Sequence, residues 1–253
     1  MDHLLQSDRM TEMSRTLLKK LGGFFAATDR VTEMLRSLCD EPSEFAPGET
    51  IVGHGQDYNA IHIVENGWAL RSRTMENGAR QIVNTVIPGD LIGLNALLFR
   101  SSDFDHEAQT TVTTFRIQPQ RFQQMLAEEP RLSSALFWVN SHEESILAER
   151  IVSLGRRSAR ARAAHVLCEL ISRLEIIDQA TLPELMIPLS QEDFSDVLGI
   201  SAVHTNKVLR AFEREGVLTF RMGVLVVNDV PALNRIAGFD GDYLHFTRRE
   251  DRL

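Results

Sequence analysis

At 253 residues the chain is long enough for one or two domains of ordinary size. Its 43% hydrophobic and 25% charged residues exclude a disordered, collagenous or purely coiled-coil chain and supply enough apolar material for a core in each domain. Lys and Arg number 27 against 35 Asp and Glu, a formal net charge of −8, which excludes a wholly basic nucleic-acid coat but not a local basic patch.

The first clearly readable region is β. Turn glycines recur at Gly48, Gly55, Gly67, Gly78 and Gly89, seven to twelve residues apart, the rhythm of short strands in a sandwich or roll. Ala60–Val64 and Trp68–Met75 are strand-like. Asn77-Gly78 predicts a two-residue hairpin with positive φ at both positions, and Arg80–Val86 the return strand. Pro88-Gly89-Asp90 is a further turn, and the β-branched run Thr110–Ile117 a further strand.

After Pro119 the period changes. Gln120–Leu126 predicts a short helix and Arg131 to about Leu154 a long one, ended by Gly155. Leu132, Leu136, Val139, Ile146, Ile151 and Leu154 stripe the long helix at mostly helical spacing, interrupted by Asn140 and Glu143; the pattern alone fits either a core helix or a dimer seam. Ser158 is the predicted N-cap of Ala159–Leu174, and Ile176–Glu184 carries mixed loop signals.

The last third reads as helix, turn, helix, hairpin. Ser190 caps a helix with acidic residues in its first turn, running to Leu198. Gly199-Ile200-Ser201 is a tight turn. A second helix runs from Ala202 to about Glu215 and stops at Gly216; its outer face carries Ser201, His204, Asn206, Lys207 and Arg210. Val217–Phe220 and Val224–Val227, joined at Arg221-Met222-Gly223, form a wing. A short helix Ala232–Ala237 follows Pro231, then a polar tail. A helix with a polar face fits the major groove, with its N-terminal residues toward base edges.

From Leu189 through Ser201 and on to Leu209, the stretch LSQEDFSDVLGIS…VHTNKVL resembles the winged helix-turn-helix of the Crp/Fnr transcription regulators. Pro88-Gly89-Asp90-Leu91-Ile92-Gly93 resembles the signature of that family's cyclic-nucleotide-binding β-roll, and the order of roll, long helix and winged helix also matches, over about residues 15–230. The resemblance implies an α+β chain: a helical lead-in and antiparallel, jelly-roll-like β-roll over 1–130, a dimerisation helix over 131–155, a winged helix-turn-helix over 156–230, and a short helix with tail over 231–253. It implies a homodimer seamed by Leu132, Leu136, Val139 and Ile146. It further implies a cytoplasmic regulator of double-stranded DNA that works with RNA polymerase and answers a small-molecule effector. Ser201, Val203, His204, Asn206, Lys207 and Arg210 become the DNA-contacting set. Where family members often read a C·G pair with a glutamate and an arginine, this chain has Val203 and Lys207.

Departures from the family matter as much. Members that bind cyclic AMP hold its ribose and phosphate with a glutamate and an Arg-Ser pair. Here those positions fall at Leu94-Asn95 and about His106-Glu107, and neither leucine nor glutamate suits the task, so the usual cyclic-AMP contacts are lost. Two isolated cysteines, Cys39 and Cys168, cannot supply the iron–sulfur centre of the oxygen-sensing branch or a disulfide framework; they fit a reducing cytosol and read as small apolar fillers. No cofactor is assigned. Haem is the alternative within the family, through His54, His62, His106 or His142. The bland reading of His62 is a half-buried strand residue, and of His106 a solvated loop histidine. Arg156, Arg157, Arg160 and Arg162 read as a solvated helix start with acidic partners or as phosphate contacts. A rival of another class is a ligand-binding module whose winged helix contacts protein.

No phosphate-cradling loop, nucleophile elbow or His-Glu-x-x-His motif occurs, so no enzyme is expected. No apolar run approaches the roughly 18 residues of a membrane helix. The start Met1-Asp2-His3-Leu4-Leu5-Gln6 lacks the basic-then-apolar order of a secretion signal.

Overall fold

The structure, a computed structural model, describes residues 15–22, 28–180 and 185–246. The readings of the extreme N-terminus, of the end of the tail and of residues 181–184 lie outside these. The chain divides into two compact units. The first holds the described residues up to Arg73, Thr85–Glu143 and Phe246; the second holds Thr74–Asn84 and Glu144–His245.

The first unit begins with helices α1 (Arg15–Gly22) and α2 (Asp29–Leu38). Strands β1 (Ser43–Phe45), β2 (Thr50–Val52), β3 (Ile61–Asn66), β4 (Ala69–Thr74), β5 (Arg80–Val86) and β6 (Leu91–Ile92) follow, of which Thr74 and Arg80–Asn84 count with the second unit. A 3-10 turn (Leu94–Leu97), β7 (Asp105–Ala108), β8 (Val112–Ile117) and α3 (Pro119–Glu128) come next, and α4 (Pro130–Arg156) starts here. Two four-stranded sheets form, ordered β1-β8-β3-β6 and β2-β7-β4-β5.

Strand alternation builds two cores at once. Ile61 and Ile63 of β3, with Phe115 and Ile117 of β8, turn outward to Leu17, Leu35, Phe122, Leu132 and Leu136 of the helices. Val64 and Val112 turn inward to Val52, Ala69, Val86 and Ala108 of the other sheet. Each such aliphatic or aromatic side chain, fully buried, contributes about 1.5–3 kcal/mol. Gly67 has no substitute: a Cβ there would lie 2.1 Å from the Thr111 carbonyl oxygen, at φ +85°.

Several expectations are corrected. The β4–β5 hairpin turns through three residues, because Gly78 alone has positive φ. Met75 and Ala79 close the loop, Met75 N–H donating to Ala79 O at 2.8 Å and Gly78 N–H to Met75 O at 2.9 Å. A type I turn followed by an αL glycine satisfies the Asn-Gly pair as well as the expected turn does. His106 is not a solvated loop residue but lies in β7, opposite Val52 and Arg71, at 7% exposure. It shares the inward face of Ala108, so Glu107 points away from the roll interior. His62 is buried rather than half-buried, at 2%.

The long helix α4 runs through Gly155 to Arg156. Its expected seam residues are occupied elsewhere: Leu132, Leu136 and Val139 sit in the first unit's own core, and Ile146 is also buried within the protomer. A period of 3.6 identifies which residues are buried, not what buries them. The exposed apolar residues of α4 are Phe137, Ile151 and Val152, with Phe137 and Ile151 two heptads apart.

In the second unit, Ser158 caps α5 (Ala159–Ile176), its hydroxyl accepting from Ala161 N–H. Then come β9 (Leu185–Ile187), α6 (Gln191–Leu198), α7 (Ala202–Arg214), β10 (Leu218–Arg221), β11 (Val224–Val227) and α8 (Val230–Ala237). β9 adds a third strand to the wing, in the order β10-β11-β9, which the sequence reading did not anticipate. The wing tip is the two-residue turn with positive φ at both positions, Met222 (+46°) and Gly223 (+82°). Between α4 and α5 lies a buried ionic cluster. Arg150 pairs with Glu169 at 3.0 Å, both side chains under 5% exposed, and Arg173 approaches the same carboxylate at 3.4 Å. Arg173 also donates to Asn84 at 3.2 Å, and Tyr243 to Glu169 at 3.4 Å.

Candidate nucleic-acid interface

The sequence of α6 and α7 dictates their ends. Ser190 and Asp193 form a reciprocal capping box at the start of α6: the Ser190 hydroxyl accepts from Asp193 N–H at 3.0 Å, and the Asp193 carboxylate accepts from Ser190 N–H at 3.2 Å. Gly199 ends the helix at φ +62°. Ser201 then caps α7, accepting from His204 N–H at 3.3 Å. Phe194, Val197 and Leu198 of α6 are buried, as are Thr205, Val208, Leu209 and Phe212 of α7, and the two helices pack on these faces.

That packing decides which residues of α7 remain outside. Ser201, Val203, His204, Lys207 and Arg210 are exposed, Val203 at 69%. Val203, Lys207 and Arg210 recur at helical spacing and make one solvent-facing stripe with basic character toward its end. Asn206 is different. It is half-buried and its side-chain amide donates to Gln191 Oε1 at 3.4 Å, so it fastens α7 to α6. Gln191 also donates to the Ala202 carbonyl at 3.4 Å. Ser201 likewise uses its hydroxyl in the cap.

Arg157, just before α5, and Arg160 and Arg162, in its first turn, are engaged within the protein. Arg157 pairs with Glu149 at 2.6 Å, and Arg160 grips Glu215 with both guanidinium nitrogens. Arg162 does what neither sequence reading foresaw. It donates to the carbonyls of Ser153 (3.2 Å), Leu154 (2.8 Å) and Arg157 (3.3 Å) at the end of α4, and to Leu198 O at the end of α6. One guanidinium thus satisfies orphan carbonyls of two helix C-termini. Its partial burial pulls its pKa below the ordinary arginine value.

In the first unit the roll interior gathers polar groups. His62 Nδ1 lies 3.0 Å from Thr114 Oγ1. Burial first, then Arg116, lowers His62 to about 4. Burial first, then Arg71 and His62, lowers His106 to about 3. Both rings are neutral near pH 7. His62 Nε2 and His106 Nδ1 have no hydrogen-bond partner among the described residues. Arg71, opposite His106, stacks on Phe104 at 4.3 Å and pairs with Glu143. Leu94 packs toward the helices. The other histidines weighed for haem lie apart: His54 is exposed, and His142 stacks on Trp138 at 5.0 Å. Burial pushes the thiols of Cys39 and Cys168 up to about 12, as fits inert fillers. Among the described residues no group of three or more His, Cys, Asp or Glu could hold a metal ion, and no helix is long and apolar enough to cross a membrane.

Two family models match the chain: a cyclic nucleotide-binding domain over residues 42–129 and a Crp-like helix-turn-helix domain over 161–236. The chain is 26% identical over 202 residues to the transcriptional activator protein FnrL of Cereibacter sphaeroides, covering 78% of this chain and 81% of that one. It is 27% identical over 195 residues to the nitrogen fixation regulation protein FixK of Bradyrhizobium diazoefficiens, covering 76% and 80%. Among solved structures, FixK2 from Bradyrhizobium japonicum superposes with a TM-score of 0.71 at 21% identity, over 80% of this chain and 98% of that one.

Proposed function

Because the chain belongs to the Crp/Fnr family of transcription regulators, we propose that it is a cytoplasmic homodimer that reads palindromic DNA through α7 and acts on RNA polymerase. The observation that carries this reading is the exposed stripe Val203, Lys207 and Arg210 on a helix whose opposite face is wholly committed to packing. Val203 offers only apolar contact, for instance to a thymine methyl, while Lys207 donates to guanine O6 or N7. Arg210, farther from the helix start, contacts phosphate. Asn206 is held by Gln191, so it contributes to readout less than its position in sequence suggests.

Selection of bound sequences from random duplexes tests this. The native chain should enrich a palindrome with half-sites about one helical turn apart. Lys207→Ala should cost on the order of 1–3 kcal/mol and relax one base pair, whereas Arg210→Ala should weaken all sequences alike and lower the salt slope by about one. The reverse assignment of effects would exchange the two roles. Failure to enrich any palindrome would favour the protein-contact module.

We infer that the dimer seam uses Phe137, Ile151 and Val152, a reading supported by their exposure and by the burial of Leu132, Leu136, Val139 and Ile146 within the protomer. Phe137→Glu should dissociate the dimer in sedimentation while leaving the protomer folded; Leu136→Ala should instead cost about 2–5 kcal/mol of stability. The effector is a small molecule other than cyclic AMP, since a neutral His106 and an apolar Leu94 stand at the family's phosphate- and ribose-holding positions. Calorimetry at millimolar cyclic AMP should show no saturable heat.

A further inference from the structure

The hairpin residues 74–84 belong to the second unit, and they grip α6. Arg80 Nη2 donates to Asp193 Oδ1 at 2.5 Å and Nε to Asp196 Oδ2 at 2.7 Å. Gln81 Nε2 donates to the Asp196 carbonyl at 2.6 Å. Gln81 also closes on the turn of the helix pair: a Cβ on Gly199 would lie 3.2 Å from its Oε1. The two oxygens of Asp193 are divided, Oδ2 bonding the Ser190 cap and Oδ1 bonding Arg80. Arg80 therefore fixes the carboxylate that closes the capping box. From that same first turn, Gln191 reaches the Ala202 carbonyl and Asn206 of α7. At its other end, α6 is held through Leu198 O by Arg162.

We propose that Arg80 is a positioning residue for DNA reading, setting α7 through α6 without touching DNA. The inference rests on the DNA-reading function proposed above. A planar guanidinium with donors in fixed directions bridges two carboxylates one helical turn apart, which a lysine ammonium cannot do in the same geometry. Without Arg80, Asp193 and Asp196 lose the guanidinium they share, and the first turn of α6 loosens its hold on the start of α7, where the base-reading residues lie.

The test is fluorescence anisotropy of the full chain on the palindrome that the native chain enriches, across a salt series. Arg80→Ala should weaken binding roughly tenfold, within the usual range of coupling between sites. The slope of log affinity against log salt should stay that of the native chain. Arg80→Lys should recover part of the loss, and Arg80→Asp combined with Asp196→Arg most of it. Hydrogen exchange of the α6 amides, read without DNA, should quicken in Arg80→Ala and return in the exchange variant; Gln81→Ala is the milder companion should Arg80→Ala fold poorly. Unchanged or tighter DNA binding by Arg80→Ala overturns the proposal. So does a salt slope lowered by about one, which would make Arg80 a direct phosphate contact. A native chain that enriches no palindrome refutes the function itself; a native chain that does, with Arg80→Ala its equal, refutes only the positioning role.

Discussion

Inside the roll, His62 and His106 are stripped of charge by burial, and each keeps a ring nitrogen that bonds nothing among the described residues. In the second unit, Arg150, Glu169 and Arg173 are as deeply buried yet form ion pairs with one another. Burying a neutral imidazole costs far less than burying an ion, so burial, with Arg116 and Arg71 nearby, holds these rings neutral. The second unit can hold charges because each finds an oppositely charged partner, Arg150 reaching Glu169 across from α4 and Arg173 from one turn along α5. The contrast separates two uses of buried polarity. The second unit uses one buried ion pair, Arg150 with Glu169, to tie α4 to α5. In the roll the buried rings are instead neutral, in no ion pair with a carboxylate among the described residues.

The sharpest way to break the contrast is to unpair the charges. Glu169→Ala leaves Arg150 and Arg173 buried without their carboxylate. Breaking a buried pair from one side costs about 3–5 kcal/mol. Hydrogen exchange in α5 and far-ultraviolet circular dichroism in urea should register a loss of that size in the second unit. A change below about 1 kcal/mol would mean that the cluster is wetter and more adaptable than its burial implies.

Next in size is Arg162. Its donors serve carbonyls that end two helices, and charge-assisted hydrogen bonds contribute about 1.5–3 kcal/mol each when measured singly. The carbonyls regain water once it is removed, so the net loss for Arg162→Ala is on the order of 2 kcal/mol, read as a lowered melting temperature. Arg162→Lys, with one ammonium for four acceptors scattered over two helices, should restore less than half. Full restoration by lysine would show that charge near the helix ends, rather than fork geometry, carries the effect.

What was legible in the sequence was local. The capping serines Ser158 and Ser190, the turn at Gly199 and the wing strands all announce themselves within a few residues, because caps, turns and alternation act over that range, whereas Ser201, also a cap, reads in the sequence as a turn residue and a DNA contact. What was not legible joins residues far apart. Arg80 read only as the start of a return strand; its partners are 113 and 116 positions away. Arg162 was read for its charge, while its structural role depends on where two helices end. His106 was assigned to a loop because Asp105, His106 and Glu107 have poor strand propensity, and pairing with Arg71 and Val52 overrode it. The α4 stripe was legible as apolar, but not that Leu132, Leu136, Val139 and Ile146 are buried within the protomer, since periodicity carries no address.

The smallest effect is the most selective test of the roll's side of the contrast. Both tryptophans, Trp68 and Trp138, lie in the first unit, so their fluorescence during urea unfolding reports that unit alone. His62 and His106 have folded pKa values of about 4 and about 3, below the 6.5 of the free side chain. Below pH 6.5 the unfolded chain binds protons that the folded roll refuses, so stability is full above that pH and is lost as pH falls toward the folded values. Each histidine then contributes a slope of about 1.4 kcal/mol per pH unit. Between pH 6.5 and 5, above the ordinary carboxylate range, the two should dominate the decline. His106→Asn should remove about one proton from the slope, and His62→Asn combined with it about two. A flat profile over that interval would mean that both rings accept protons in the folded roll, through water or rearrangement, and that the roll tolerates buried charge as the second unit does.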